Sequence, residues 1–421
     1  MFFFYRILIN FIFILSPLII ILRLFNGKES FVRFKEKYCF FSKKRSSGKV
    51  IWFHGASVGE LQSIVPLLER LEKDKTIKQI LITSNTLSSS KIVEKFKLKK
   101  IVHQFFPIDT YFLIKKFLRY WKPSAVFFID SEIWPNTIMN LGERKIPIIL
   151  LNGRITKKTF KRWLKLGNFS KKIFENFELC FSSSVESKRY LKTLGAKKIK
   201  YFGNLKFSQS ENEKHLINSD FKKFIKNKKV WCASSTHKSE ELFCGLIHKK
   251  IKKKYKNLLT IIIPRHIDRV DDIKMKLNNL NLKIHTHEPK KKIHKDTDIY
   301  LVNSYGKTKS FYNTCKNIFL GGSLIDHGGQ NPLEATRFGC NILHGPHVSN
   351  FKEIYEFLKI KNISKVVTSE KNTIKTLTNL FNRKKFSKKA QKELNKIGIK
   401  ILDSTINEIN FIINKNETKK T

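Results

Sequence analysis

The sequence predicts an α/β protein made of two doubly wound parallel sheets in series, behind an apolar N-terminal helix. Three observations predict it. From Lys49 onward, short apolar runs alternate with amphipathic helical stretches. That alternation dissolves into polar, Lys- and Asn-rich sequence around residues 205–229 and then restarts. The first 25 residues are nearly all apolar, broken by Arg6, Asn10 and Arg23. At 421 residues the chain is long enough for two cores.

Residues 1–25 come first. Their apolar centre, 7–22, is slightly short for a full span. A cleaved signal peptide needs small residues at its cleavage site, and Leu24-Phe-Asn-Gly-Lys28 has no A-x-A pattern. A retained anchor, spanning or monotopic, is therefore expected. Arg23, Lys28, Arg33, Lys35 and Lys37 follow or end it. By the positive-inside rule they keep the body cytoplasmic, and they suit anionic headgroups.

A first domain is expected over residues 28–207, with strands at 50–53, 79–83, 101–105, 125–129, 146–151 and 179–183. Helices such as 61–71 and 110–120 separate them. Residues 208–228 read as a linker. A second domain over 229–413 has strands expected at 230–233, 259–263, 283–285, 299–302, 318–320, 341–343 and 366–368, and 414–421 reads as a polar tail. Parallel sheets of this kind bind ligands beyond their strand carboxyl ends, here in a cleft between the two domains.

Lys plus Arg number 83 against 34 for Asp plus Glu, a formal net charge of +49. Such an excess favours anionic partners: nucleic acid, acidic membrane or phosphorylated substrate. The lysines are scattered, as at Lys252 to Lys254 and Lys290 to Lys292, and no aromatic-interleaved motif points to nucleic acid. The six cysteines lie far apart with no C-x-x-C pair, which indicates a reducing compartment without disulfides or a zinc site.

The chemistry sits in loops after strands. In Val50-Ile-Trp-Phe-His-Gly-Ala-Ser-Val-Gly-Glu60 a buried strand turns into a helix whose first turn carries Glu60. Locally, Glu60 reads first as a carboxylate complementing the helix dipole. Ile129-Asp-Ser-Glu-Ile-Trp-Pro-Asn136 puts Asp130 and Glu132 at the end of a buried strand, a costly place unless they are paired or used. Asn152-Gly-Arg154 and Gly203-Asn-Leu-Lys206 read alone as turns. Gly321-Gly-Ser-Leu-Ile-Asp-His-Gly-Gly-Gln-Asn-Pro-Leu-Glu334 joins closely placed glycines to a helix start, a pattern that suits phosphate. It is neither G-x-G-x-x-G nor a P-loop. His237 and His266 also follow strands and read locally as ordinary surface residues, with no H-E-x-x-H to suggest zinc.

Taken in order, Ala56-Ser-Val-Gly-Glu60, Glu132-Ile-Trp-Pro-Asn136, Asn152-Gly-Arg154, Gly203-Asn-Leu-Lys-Phe207, Ala233-Ser-Ser-Thr-His237, Pro264-Arg-His266, Gly321-Gly-Ser-Leu324, Gly328-Gly-Gln-Asn-Pro-Leu-Glu334 and Gly345-Pro-His347 with Asn350-Phe351 resemble the 3-deoxy-D-manno-octulosonic acid (Kdo) transferases of lipid A assembly. The resemblance runs from the apolar N-terminus to about Phe351. It implies a GT-B glycosyltransferase at the cytoplasmic face of a Gram-negative inner membrane, with CMP-Kdo as donor. The implied acceptor is the tetraacyldisaccharide 1,4'-bisphosphate precursor of lipid A (lipid IVA).

By the same resemblance Glu60 is the general base. Asp130 and Lys206 stabilise the transition state, with Glu132 as a further candidate. CMP is held by Pro264 and Arg265, by Tyr305, Gly306 and Lys307, and by Asn331, Pro332, Leu333 and Glu334. No metal and no cofactor is implied. The family's Glu-x-Glu stands here as Asp130-Ser-Glu132, and its Asp-Thr-Met-Gly-Glu as Asn303-Ser-Tyr-Gly-Lys307, where Lys307 reverses a charge. Gln330 stands where many members have His.

The chemistry agrees with these roles. Attack at an anomeric carbon passes through an oxocarbenium-like state and needs a base for the incoming hydroxyl. Lys206, Arg265 and the helix start after Gly329 can hold phosphate charge. Two other readings remain: a two-domain transferase using a different nucleotide sugar, and a membrane-surface binding protein with decayed catalytic loops.

Overall fold

A computed structural model of the chain describes residues 1–209, 217, 219–287, 293–382 and 388–415. It divides into two units: Met1–Ser210 together with Asn395–Thr421, and Glu211–Leu394. Within the expected linker, residues 210–216 and 218 lie outside the described residues, as do 416–421 of the tail and the lysines at 290–292.

The first unit is built on a seven-stranded parallel sheet in the order β3-β2-β1-β4-β5-β6-β7. The strands are β1 (Lys49–His54), β2 (Ile77–Ser84), β3 (Ile101–Phe105), β4 (Ala125–Ile129), β5 (Ile148–Gly153), β6 (Leu179–Ser182) and β7 (Ile199–Lys200). Alternate residues of each strand feed two cores. Val50, Trp52, Val126 and Phe128 enter one. Ile51, Phe53, Phe127 and Ile129 enter the other. Both faces are covered, so the strands read as continuous apolar runs rather than alternating ones. β7 has only two residues, and its lysine-rich setting hid it from the pattern.

The second unit repeats the plan in the order β10-β11-β9-β8-β12-β13-β14, again parallel throughout. Its strands are β8 (Lys229–Thr236), β9 (Leu258–Pro264), β10 (Ile284–Thr286), β11 (Ile299–Leu301), β12 (Asn317–Leu320), β13 (Asn341–His344) and β14 (Ser364–Val366). In each sheet the strand order reverses beside the first strand, at β1/β4 and at β8/β12, where α/β sheets bind ligands.

Three helices depart from the sequence reading. The N-terminal helix α1 (Phe2–Phe25) belongs to the first unit, with one stripe seated on it along its length. The expected helix 61–71 is two helices, α2 (Val58–Ser63) and α3 (Val65–Leu71), meeting at Ile64. Pro66 sits in the first turn of α3, where its missing N–H costs nothing. The last helix, Lys388–Lys415, crosses the division between units. Its Ile401, Leu402, Ile409, Ile412 and Ile413 lie in the first unit's core, although the sequence reading assigned residues up to 413 to the second domain. Its helical spacing shows an apolar face but not which core that face enters. All six cysteines are free and buried.

Candidate active site

In the first unit, β1 ends at His54 and the chain turns through Gly55 and Ala56 into α2. Ser57 caps that helix: its hydroxyl accepts from Glu60 N at 3.3 Å. The Glu60 carboxylate in return accepts from Ala56 N at 2.7 Å, Ser57 N at 3.3 Å and the Ser57 hydroxyl at 2.8 Å. This is a capping box, so the helix-start reading of Glu60 is physically sound. It is not the whole account. Burial raises the Glu60 carboxyl to about 7; the Ser57 hydrogen bond opposes the rise, and the charges of Glu132 and Asp130 add to it. A carboxyl in such a setting is suited to take up a proton near neutral pH.

Asp130 follows β4 in left-handed backbone, φ +61°. That region is strained for a non-glycine residue, least so for Asp and Asn. Its carbonyl accepts from Arg154 N at 3.0 Å, and its Oδ2 accepts from Lys206 Nζ at 3.4 Å. Asn152, after β5, is also left-handed, φ +52°, and its Oδ1 accepts from Leu205 N at 2.9 Å. Asn204 Oδ1 caps the next turn by accepting from Lys206 N at 3.0 Å. The loops at Asp130, Asn152 and Gly203, separate in the sequence, are thus laced into one constellation around Lys206.

Glu132 has its own clamp. Its Oε2 accepts from Trp134 Nε1 at 2.9 Å and lies 3.2 Å from His54 Nε2. His54 Nδ1 is 2.9 Å from the Thr83 hydroxyl, which also accepts from Trp52 Nε1 at 2.8 Å. Burial alone would raise the Glu132 carboxyl; the hydrogen bond and charge of His54, with Trp134, hold it below the usual range. Sequence reasoning missed His54. Its only signal was a polar residue ending an otherwise apolar strand.

The second unit carries the other expected residues. Pro264 ends β9, buried, and Arg265 beside it is exposed, its backbone N bonded to Thr236 O at 3.0 Å. Tyr305 is 65% exposed, and Gly306 has φ +77° with open space around it. Lys307 is exposed too. Asn331 Oδ1 accepts from Leu333 N at 3.1 Å at the start of the short helix Leu333–Arg337, where Pro332 stands as N-cap and Glu334 pairs with Lys309 at 3.8 Å.

One residue organising this region was not foreseen. Buried Glu240 accepts from His237 N at 2.9 Å, Gly322 N at 2.7 Å, Ser323 N at 3.1 Å and Leu324 N at 3.0 Å. It fixes the glycine loop to the end of β8. Gly321 is required there, because a Cβ would meet Ser235 O at 2.4 Å. His237, expected at the surface, is only 8% exposed, with the His327 ring at 4.3 Å and the His266 ring at 5.9 Å. Burial, and then the neighbouring His327, His266, Arg265 and Arg269, hold it down to about 4. Its Nε2 lies 3.4 Å from Gln330 Nε2. Among the described residues no group of three His, Cys, Asp or Glu side chains could hold a metal ion.

Comparison with known proteins identifies the family. The family model of the 3-deoxy-D-manno-octulosonic-acid transferases (kdotransferases) matches residues 32–209. A 3-deoxy-D-manno-octulosonic acid transferase of Rickettsia prowazekii is 35% identical over 343 residues, covering 79% of this chain and 72% of that protein. The chain belongs to the Kdo transferase family. It is a glycosyltransferase. The C-terminal CMP-Kdo binding domain of WaaA from Acinetobacter baumannii is 26% identical and covers 42% of this chain and 91% of its own, with a TM-score of 0.37. UDP-GlcNAc 2-epimerase from Neisseria meningitidis is 15% identical, covering 87% of this chain and 100% of its own, with a TM-score of 0.58. That last likeness is one of fold: this Kdo transferase has the paired Rossmann-like architecture of the GT-B class.

Proposed function

We propose that this Kdo transferase moves Kdo from CMP-Kdo to the tetraacyldisaccharide 1,4'-bisphosphate precursor of lipid A, with Glu60 as general base and without a metal. The observation that carries the proposal is the Glu60 carboxyl. It is held at a strand-to-helix turn and raised to about 7, beside carboxylates that are themselves tied to Lys206 and His54. A base poised near the working pH is what attack by a sugar hydroxyl requires.

The acceptor hydroxyl oxygen bonds to the anomeric carbon of Kdo as the bond from that carbon to the CMP phosphate breaks. The hydroxyl proton passes to Glu60, and the bonding pair leaves with CMP. Asp130 and Lys206 act on the oxocarbenium-like charge distribution, with Glu132 supporting them. On the second unit, Arg265, Lys307 and the backbone around Gly306 and Asn331–Glu334 hold CMP. With Lys307 in place of a carboxylate, that contact is made by a cation and by backbone. The helix α1 is long and apolar enough to cross a membrane by length and composition. We take it as the attachment to the inner membrane, with both units on the cytoplasmic side.

The test is mass spectrometry of the product formed from CMP-Kdo and the tetraacyl precursor, run beside a panel of nucleotide-diphosphate sugars. A product heavier by one or more Kdo residues, from CMP-Kdo alone, is expected. Transfer from another nucleotide sugar would replace the donor assignment. No transfer from any donor by folded protein would favour a decayed membrane-surface protein.

A further inference from the structure

The helix α1 has two faces of different character. The inward face is a stripe at alternating spacings of four and three: Phe2, Arg6, Ile9, Phe13, Ser16, Ile20 and Arg23 are each buried or half-buried, and Tyr5 joins them. That stripe is fastened by polar groups as well as by packing. The Tyr5 hydroxyl donates to buried Asp109 at 2.7 Å, and Arg6 Nε donates to Asn136 Oδ1 at 3.3 Å. Arg23 Nε pairs with buried Glu29 at 3.0 Å. Pro17 has no N–H for the Phe13 carbonyl, and the Ser16 hydroxyl takes its place at 2.6 Å, leaving Tyr38 to donate to Ser16 at 2.8 Å. Phe2 and Phe13 add ring contacts to Phe169 and Phe112. The fastening therefore runs from the first turn to the last, about 36 Å for 24 residues at 1.5 Å each.

The outward face is apolar apart from Asn10. Phe3, Phe4, Leu8, Phe11, Leu18 and Phe25 are between 58% and 83% exposed. So long an apolar surface marks an interaction site. Its surroundings supply the charge that selects the partner. Phe169 joins the start of α1 to Trp163 on the helix Lys157–Leu164, whose exposed residues include Lys157, Lys158, Lys161 and Arg162. On the helix Tyr111–Trp121, Phe112 is half-exposed beside Phe13, and Lys116 reaches over the Phe40 ring. Apolar surface bordered by cations matches acyl chains beneath anionic headgroups.

We infer that α1 does not span the bilayer but lies in the plane of one leaflet, bound along its length to the first unit. Its outward face sits among the acyl chains, and the neighbouring lysines sit at anionic headgroups. A transmembrane orientation would have to strip the whole stripe from the body, leave Asp109 and Glu29 without their α1 partners and draw Arg6 through hydrocarbon. The in-plane orientation keeps every one of those contacts. This inference rests on the membrane attachment proposed above.

The test uses full-length protein added to preformed vesicles of phosphatidylethanolamine and phosphatidylglycerol. Nitroxide labels go on cysteines introduced singly at Phe4, Phe11, Leu18 and Phe25; the six native cysteines are buried. The expected result is one shallow depth at all four positions, with an N-terminal tag still cut by protease from outside. A depth that passes through the midplane between Phe11 and Leu18, with the tag protected, would overturn the in-plane orientation while leaving membrane attachment intact. Failure to bind vesicles at all would overturn both. Replacing phosphatidylglycerol by phosphatidylcholine should weaken binding about tenfold or more; unchanged binding would overturn the headgroup part of the inference.

Discussion

His54 Nε2 lies 3.2 Å from Glu132 Oε2 at the carboxyl end of the first sheet. Together with Trp134 it keeps the Glu132 carboxyl below its usual range, so Glu132 carries its charge at neutral pH. That charge is one of the two that raise Glu60. Glu132→Gln removes it, so with Glu60 as the proposed base the acid limb of the kcat profile should move to lower pH. Rates from pH 5 to 9 for both proteins check this, and an unmoved limb would show that the two carboxylates do not interact.

Glu60→Gln keeps shape and hydrogen-bonding capacity and removes proton acceptance. A general base is worth about 10²–10⁴-fold in rate, and a loss in that range is expected with CMP-Kdo affinity nearly unchanged. Stability gives a second reading. The folded Glu60 carboxyl is raised to about 7, so its ionised form is penalised. The penalty is absent below the unfolded carboxylate pKa and complete above about 7. At pH 8 the Gln variant should therefore melt higher than wild type. A helix-start role alone predicts the reverse, a cost of about 0.3–1 kcal/mol with little change in rate.

The proposed charge partners for phosphate are Lys206, Arg265, Lys307 and backbone N–H groups. Activity should then persist in EDTA. The check is kcat after chelation and after readdition of Mg²⁺; a strict requirement for the ion would show that the phosphate site has been misread.

Asp109 is buried, and burial pushes its carboxyl up to about 6 against hydrogen bonds from Thr137, Tyr5 and Asn136. The folded state therefore loses stability on this account as pH rises from about 4 to about 6. Above that range the Tyr5 hydroxyl bonds to a charged acceptor, worth about 1.5–3 kcal/mol. Tyr5→Phe should lower the melting temperature at pH 7.5 and do so less at pH 4.5. An equal effect at both values would mean that the contact is not sensed by the carboxylate's charge.

Much of the fold is legible in the sequence. The strand-to-helix turn with Glu60 in the first helical turn is legible there, though the reciprocal Ser57 cap comes only from the structure, and the parallel sheets follow from strands apolar on both faces. The convergence around Lys206 could not be read. It depends on left-handed backbone at Asp130 and Asn152, which no side-chain pattern announces, since Asp and Asn fill many ordinary turns. Glu240 was equally silent: its four backbone partners come from loops more than eighty residues apart in part. The polar stripe of α1 was hidden because Tyr5, Ser16 and the two arginines are few among many apolar neighbours.

The return of the final helix to the first unit has a consequence for biosynthesis. Ile401, Leu402, Ile409, Ile412 and Ile413 complete a core whose other walls are strands and helices far earlier in the chain. Between the two lie residues Glu211–Leu394 of the other unit. At about 5–20 residues per second, that interval takes roughly 10–40 s. Throughout it the first sheet, whose seven strands end at Lys200, is complete in sequence but lacks the apolar cover that this helix supplies, so its final packing waits for the helix.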